Sequence, residues 1–250
     1  MTVHTPRFNH KVALVTGGSR GIGEAIVRRF ADEGAAVAFT YSSSVDKAQA
    51  LVGLIESKGG KALAIQADSA DVGAIERAVA TTVEHFGALN ILVNNAGILL
   101  MGTVDTFSLE DFDRMFAVNV RATFAAAKAC SPVMHNGDRI ITVGSVVAQR
   151  SGFLGSSVYS MTKSAIAGMI RGLAIDFAPR GITVNNVQPG PTSTDMNPAD
   201  GPHADMIKSL IPLGRVGTAD DVAGMVAYLA SEDAAFVTGA SMTIDGGYLA

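Results

Sequence analysis

The apolar positions of this chain alternate between short continuous runs and longer segments in which they recur at helical spacing. The short runs are apolar almost throughout, which is typical of strands in a parallel sheet that is covered on both faces. They predict seven strands, at Val12–Thr16, Ala36–Tyr41, Ala62–Gln66, Ile91–Asn94, Arg139–Val143, Thr183–Gln188 and Ser241–Ile244.

The longer segments predict helices between these strands, and glycines stand where several of them should end. Gly34, Gly59 and Gly87 follow the first three segments, and glycine is the residue that most often terminates a helix. The predicted helices are Ile22–Glu33, Val45–Lys58, Val72–Phe86, Leu109–Cys130 (one helix or two pieces), Tyr159–Phe177 and Ala219–Leu229.

Alternating strands and helices predict an α/β fold: a single Rossmann domain over residues 1–250, with a doubly wound, seven-stranded parallel sheet and helices on both faces. Ligands of such folds bind at the carboxyl ends of the strands. One stretch, residues 191–213, is rich in Pro, Gly, Asp and Ser and predicts a substrate flap without regular elements.

Composition excludes several classes of protein. The net charge is −4 and no run of Lys or Arg is present, so we expect no nucleic-acid partner. No apolar stretch approaches the roughly 20 residues that span a bilayer, and the first residues lack the layout of a signal peptide. We therefore expect a cytoplasmic protein without a membrane partner. Cys130 is the single cysteine and the five histidines are scattered, which predicts a core thiol and no metal site.

A glycine-rich turn joins the first predicted strand to the first predicted helix. Residues 16–23 read Thr-Gly-Gly-Ser-Arg-Gly-Ile-Gly. In this position glycines allow the backbone to approach a pyrophosphate, and the helix N-terminus offers amide groups and a favourable dipole. The turn predicts a dinucleotide cofactor, with the candidate contacts Gly17, Ser19, Arg20, Gly21, Ile22 and Gly23.

The end of the second strand indicates which dinucleotide binds. An NAD site carries an Asp or Glu there to bind the ribose hydroxyls, whereas this strand ends in Tyr41-Ser42-Ser43. Hydroxyl groups and the Arg20 guanidinium suit a ribose phosphate, so the sequence favours NADP(H). The alternative is that these residues form only a solvated rim.

Tyr159 and Lys163 are four residues apart in a predicted helix and therefore project from one face. A nearby ammonium should lower the pKa of a phenol, so Lys163 is predicted to tune Tyr159 as a general acid. Ser145, just after the fifth strand, can donate a hydrogen bond to a carbonyl. Together these residues predict carbonyl reduction. The alternative is a packed aromatic residue beside a solvated amine.

The glycine turn is followed in order by Asn94-Asn95-Ala96-Gly97, Ser145, Tyr159 with Lys163, and Pro189-Gly190. With these motifs the sequence resembles a short-chain dehydrogenase/reductase over almost its whole length. Within that family it is similar to the branch of bacterial 3-oxoacyl-carrier-protein reductases and carbonyl reductases. The resemblance implies that Asn119 is a fourth catalytic residue, which holds a water that relays protons to Lys163.

The resemblance also implies further cofactor contacts and an assembly. The sequence departs from many members at Gly144, where they carry Ser, and at Pro191. The resemblance implies a homotetramer in which Leu109–Cys130 and Tyr159–Phe177 pair across an interface. The apolar content of these helices fits that interface and fits packing on their own sheet equally well, and it includes Phe124, Ala125, Ile166, Met169 and Ile170. The implied cofactor contacts are Asp68, Asn95, Ala96, Gly97, Tyr159, Lys163, Pro189, Gly190, Thr192 and Thr194.

Two functions remain open at this point. The first is an NADPH-dependent reductase of a 3-oxoacyl thioester, a β-keto ester or a small ketone, which needs the four catalytic residues. The second is a regulatory protein of the same fold that captures a nucleotide. Residues 188–195 and 197–202 resemble the corresponding segment of an oxidoreductase that binds cyclic di-GMP and acts in biofilm dispersal. An intact catalytic set is compatible with both.

Overall fold

The computed structural model describes residues 6–195, 197 and 204–250. Its strands are β1 (Val12–Val15), β2 (Ala36–Tyr41), β3 (Lys61–Gln66), β4 (Ile91–Asn94), β5 (Arg139–Val143), β6 (Thr183–Pro189) and β7 (Ser241–Ile244). They form one sheet in the order β3-β2-β1-β4-β5-β6-β7, and every neighbouring pair is parallel. The predicted doubly wound, seven-stranded Rossmann sheet is confirmed.

The helices of the described residues occupy the connections between strands. They are α1 (Gly21–Asp32), α2 (Val45–Ser57), α3 (Val72–Phe86), α4 (Leu109–Phe116), α5 (Ala122–Cys130), α6 (Ser157–Phe177), α7 (Ala204–Ser209) and α8 (Ala219–Ala230). Five residues with π-helical hydrogen bonds, Ala117–Arg121, join α4 to α5 and are called the π turn below.

Two apolar cores lie on opposite faces of the sheet because successive strand residues point to opposite faces. In β2, Val37 and Phe39 belong to the core beneath α1, α2 and α8. Ala38, between them, belongs to the core beneath α3, α5 and α6. Cys130 is fully buried in this second core, as expected for a core thiol.

Three differences from the predicted elements bear on the site. The predicted helix Leu109–Cys130 is interrupted by the π turn, and α6 begins at Ser157, two residues before Tyr159. The flap was predicted to lack regular elements, which is wrong, because α7 lies within it. Flap residues 196 and 198–203, part of the segment compared with cyclic di-GMP-binding proteins, lie outside the described residues.

The predicted interface residues divide between the core and the surface. Ile166 and Ile170 are buried in the core against their own sheet, so they cannot contact another subunit without rearrangement, and Ala125 is also buried. Phe124 is half-exposed on α5. No helix in the described part of the chain is both long enough and apolar enough to cross a membrane.

Candidate active site

A cavity of about 920 Å³ opens at the carboxyl ends of β1, β2, β4, β5 and β6. This is the edge at which doubly wound sheets bind their ligands. It brings together all the candidate cofactor residues: Gly17, Ser19, Arg20, Gly21, Ile22, Gly23, Tyr41, Ser42, Ser43, Asp68, Asn95, Ala96, Gly97, Tyr159, Lys163, Pro189, Gly190, Thr192 and Thr194.

The glycine turn is closed by hydrogen bonds to the segment after β4. Asn95 Nδ2 donates to the carbonyls of Thr16 and Gly17, each at 3.0 Å. A Cβ at Gly23 would lie 2.2 Å from the Gly17 oxygen and 2.5 Å from Asn95 Nδ2. Any side chain at Gly23 would therefore force the turn open. The closed turn directs the first amides of α1 towards the cavity, where they favour an anion.

Hydroxyl and cationic groups gather at the end of the cavity beside β2. Ser42, Ser43 and Arg20 line the cavity there and are exposed. Two further charges were not predicted: Lys47, on the first turn of α2, donates to the Asp195 carboxylate at 3.0 Å. That hydrogen bond, the Lys47 charge and the more distant Arg20 charge lower the pKa of Asp195.

Asp68 lines the same end of the cavity, in front of α3. Its carboxylate accepts from the Ala70 amide at 2.9 Å. The N-cap of α3 is Asp71, which accepts from the Gly73 amide at 2.8 Å. Asp68 is therefore not the capping residue of α3.

Ser145, Tyr159 and Lys163 meet at the centre of the cavity. Ser145 follows β5 and begins the 3-10 turn Val146–Ala148, accepting from the Val147 amide. Tyr159 lies in the first turn of α6, and Lys163 lies one turn further on. The Lys163 ammonium donates to the Val143 carbonyl at 3.0 Å and stands 5.7 Å from the centre of the Tyr159 ring.

Burial shifts the pKa values of both groups towards their neutral forms. Burial raises the pKa of Tyr159 to about 12, although a hydrogen bond with the Ser145 hydroxyl opposes the shift. Burial lowers the pKa of Lys163 to about 8. The lowering of the Tyr159 pKa that was predicted from Lys163 does not appear in the protein by itself, where burial raises that pKa and Ser145 supplies the opposing hydrogen bond.

Asn119 does not line the cavity and is 1% exposed in the π turn. Its Oδ1 accepts from the Ile98 amide at 2.9 Å, and its Nδ2 donates to the Ile98 carbonyl at 3.0 Å and to Thr162 Oγ1 at 3.1 Å. The Asn119 amide therefore already has partners and joins α6 to the segment after β4. The Asn119 carbonyl accepts from Thr123 Oγ1 at 3.1 Å.

The segment after β6 forms the wall opposite the glycine turn. Thr194 approaches Gly21, where a Cβ would lie 3.6 Å from the threonine Cβ, and Thr192 Oγ1 donates to the Gly190 carbonyl at 2.9 Å. Gly190 packs so closely on Asp245 that a Cβ would come within 2.6 Å of the aspartate Cβ. Pro189, Gly190, Thr192 and Thr194 thus border the cavity together.

The departure at Gly144 has a structural reason. A Cβ at this position would lie 2.5 Å from Asn186 Oδ1 on the neighbouring strand β6. The Asn186 side chain occupies the space that a serine at Gly144 would need, and its Nδ2 donates to Ser241 Oγ at 3.1 Å.

The far end of the cavity was only partly predicted from the sequence. The prediction named the flap and the residues around 149–158, and both contribute side chains. It missed contributions from α4, from the segment after β4 and from the chain after β7, because no motif marks them. The lining outside the predicted cofactor contacts includes Leu99, Met101, Arg114, Gly152, Phe153, Leu154, Met206, Ile207, Leu210 and Tyr248.

Comparisons with known proteins agree with this geometry. Residues 17–249 match the family model described as enoyl-(acyl carrier protein) reductase. The cyclic-di-GMP-binding biofilm dispersal mediator protein of Escherichia coli is 48% identical over 241 residues, which cover 96% of this chain and 98% of that protein. A probable tetrahydroxynaphthalene reductase of Zymoseptoria tritici is 38% identical over 257 residues, 98% of this chain and 96% of that protein.

A solved structure shares the whole fold. It is a short-chain dehydrogenase from Burkholderia cenocepacia J2315 in complex with NADP, with a TM-score of 0.96 and 50% sequence identity. The match covers 98% of this chain and 100% of that one. By its sequence, its sheet and the residues at its cavity, the chain belongs to the short-chain dehydrogenase/reductase family.

Proposed function

We propose that this protein is an NADPH-dependent reductase that converts the carbonyl of a ketone or a 3-oxoacyl compound to a secondary alcohol. The observation that carries the proposal is the meeting of Ser145, Tyr159 and Lys163 in the same cavity as the glycine turn. A positioned acid and a hydrogen-bond donor beside a dinucleotide site are what carbonyl reduction requires.

The residues of the cavity fit NADP(H). The α1 amides and the turn closed by Gly23 suit a pyrophosphate, and Arg20, Ser42 and Ser43 suit a ribose phosphate. Lys47 stands near this end as a second cation, paired with the Asp195 carboxylate. The Burkholderia relative, which holds NADP, supports the same cofactor. When bound, the cofactor supplies the hydride that reaches the carbonyl carbon.

The protein's own groups supply the proton and the polarisation. With a pKa of about 12, the Tyr159 phenol is protonated at neutral pH and can donate its proton to the carbonyl oxygen. The Lys163 ammonium, one helical turn away, stabilises the phenolate that this transfer leaves. The Ser145 hydroxyl is placed to donate a hydrogen bond to the same oxygen. Asn119 acts in this scheme through its neighbours, since its side chain does not reach the cavity.

The test is the oxidation of NADPH and NADH by the purified protein in the presence of simple ketones, diketones, β-keto esters and acetoacetyl thioesters. Tyr159→Phe removes the proton donor but keeps the ring, so we expect at least a ~100-fold loss of turnover with NADPH binding retained. Tyr228→Phe, at an exposed position of α8 outside the cavity, is the matched control and should keep full activity. Full activity of Tyr159→Phe would disprove the mechanism.

A second candidate function is the capture of cyclic di-GMP. It is favoured by the 48% identity with the Escherichia coli biofilm dispersal mediator, which binds that nucleotide. Calorimetric titration of the NADPH-bound protein with cyclic di-GMP tests it directly. Binding without Tyr159-dependent turnover on any carbonyl would favour this function over the reductase, whereas turnover without binding would eliminate it.

A further inference from the structure

The mouth of the cavity beyond Tyr159 exposes large apolar side chains from three separate segments. Met101 follows β4, Phe153 and Leu154 follow β5, and Met206 and Leu210 lie in and just after α7. All five are solvent-exposed, and Leu154 is 83% exposed. Exposed apolar surface that continues into a cavity is typical of a ligand site. This end of the cavity therefore suits a substrate with a bulky apolar body.

Arg114 is one of the charged residues that line the same cavity. It lies on α4, just over one turn before Asn119, and its exposed side chain lines the cavity. No carboxylate of the described residues lies within 4.0 Å of its guanidinium, although Glu110 and Asp111 stand one turn earlier on α4. Other arginines do have such partners: Arg7, Arg28, Arg29, Arg77, Arg139 and Arg215.

Two arginines line the cavity, and they belong to different helices. Arg20 begins α1 beside the glycine turn, where a cofactor phosphate is expected. Arg114 lies on α4, the helix that follows the segment of Met101 in the chain, and lines the same cavity. Within the described residues, neither guanidinium has a carboxylate within 4.0 Å. A guanidinium binds a carboxylate through two parallel hydrogen bonds, and apolar surroundings strengthen the pair.

We propose that Arg114 binds an anionic group of the substrate, so that the preferred substrate is a carbonyl compound with a bulky apolar body and a carboxylate. This inference rests on the proposed reductase function. In the reaction the hydride of NADPH forms the new bond to the carbonyl carbon, while the carbonyl oxygen takes the Tyr159 proton. NADPH leaves as NADP⁺, and the carboxylate held by Arg114 is unchanged.

The test uses a series of aryl methyl ketones that carry a carboxylate on a spacer of increasing length. The methyl ester of each acid is assayed as its uncharged counterpart. The readout is the ratio of kcat/KM for the acid to kcat/KM for its ester, measured at low ionic strength. Wild type should prefer the acid at the spacer length that reaches Arg114. Arg114→Gln should reduce that ratio about tenfold or more, which is the expected effect of losing one charge-assisted hydrogen-bonded pair. Arg114→Lys should restore part of it.

Arg28→Gln is the matched control, because Arg28 is also an exposed helical arginine but lies outside the cavity. It should leave the ratio unchanged. Equal ratios in wild type and Arg114→Gln, or no preference for any acid in wild type, would overturn the inference while leaving the reductase intact. Binding of each acid and ester to the NADP⁺-bound protein, measured by calorimetry, reports the same preference without turnover. If the proposed reaction fails, that ratio of Kd values decides whether Arg114 selects an anion.

Discussion

Burial of the charged Lys163 side chain in the candidate active site lowers the stability of the fold. Only 5% of the residue is exposed, and one hydrogen bond, to the Val143 carbonyl, is formed by its ammonium. Its pKa falls from 10.5 to about 8 because burial penalises the charged form. The unfolded chain therefore binds more protons than the folded protein between about pH 8 and pH 10.5, so this residue makes stability rise with pH across that window.

From this we predict that Lys163→Met abolishes activity but stabilises the protein at pH 7. The pKa difference corresponds to roughly 3 kcal/mol, from which the contribution of the lost hydrogen bond must be subtracted. The gain should shrink at pH 10, where the wild-type lysine is mostly neutral in the folded state. Urea unfolding of both proteins at the two pH values, at one protein concentration, measures the difference in their free energies of unfolding. Lys61→Met, at an exposed lysine, is the control and should show no such change with pH. If Lys163→Met differed from wild type by the same free energy of unfolding at both pH values, the prediction would be contradicted.

Among the elements around the site, helix α6, which carries Tyr159 and Lys163, is linked to the π turn by hydrogen bonds of one hydroxyl group. Thr162 is fully buried; its Oγ1 accepts from Asn119 Nδ2 at 3.1 Å and donates to the Tyr159 carbonyl at 2.8 Å. A π turn widens a helix locally and is common at functional sites. Here it places the Asn119 side chain between α6 and the segment after β4. Thr162 is thus a positioning residue, which acts through Asn119 and Tyr159.

Thr162→Val should lower kcat about tenfold, because both hydrogen bonds of the buried hydroxyl are lost and Asn119 Nδ2 keeps only the Ile98 carbonyl as its partner. KM for NADPH should change little, since Thr162 does not line the cavity. Thr162→Ser restores the hydroxyl and should recover most of kcat. Thr82→Val is the control for loss of a buried threonine hydroxyl, because Thr82 Oγ1 donates to the Ala78 carbonyl in α3, away from the site. Equal losses in Thr162→Val and Thr82→Val would mean a general effect on stability.

The same elements show what sequence patterns can and cannot predict. Strands that are buried on both faces leave a clear apolar run, so the bounds of β2, β4 and β5 were predicted to the residue. The bounds of β7, a partly exposed edge strand, were also predicted to the residue. The π turn has no such signal, since Ala-Val-Asn-Val-Arg suits an ordinary helix and the inserted turn is held by tertiary contacts of Asn119. The position of the glycine turn, between the first strand and the first helix, was also predicted, because close backbone contacts require glycine there. Arg114 and the Lys47–Asp195 pair were missed because they meet only through the fold.

For the whole molecule, the surface of α5 and α6 favours the homotetramer that the sequence resemblance implied. The interface we propose has a different composition from the predicted one, because Ile166 and Ile170 belong to the core and Ala125 is also buried. On α6, Met161 and Ile175 are exposed along one side, with Gly168 and Gly172 between them, and Phe124 is exposed on α5. Small residues between exposed apolar ones allow two helices to pack closely, and solvent-exposed apolar surface of this kind marks subunit contacts.

We predict that the wild-type protein is a tetramer and that the double variant Phe124→Asp, Ile175→Asp dissociates to smaller species, because each change would bury an unpaired charge at the contact. The measurement is molar mass by size-exclusion chromatography with light scattering over a range of concentrations. Leu54→Asp introduces the same charge at an exposed apolar position of α2 and should leave the tetramer intact. A tetramer that survives the double variant would mean that subunits meet through another face, whereas a monomeric wild type would disprove the assembly. Since α6 carries Tyr159 and Lys163, dissociation should also lower activity if the contact between subunits holds this helix in place.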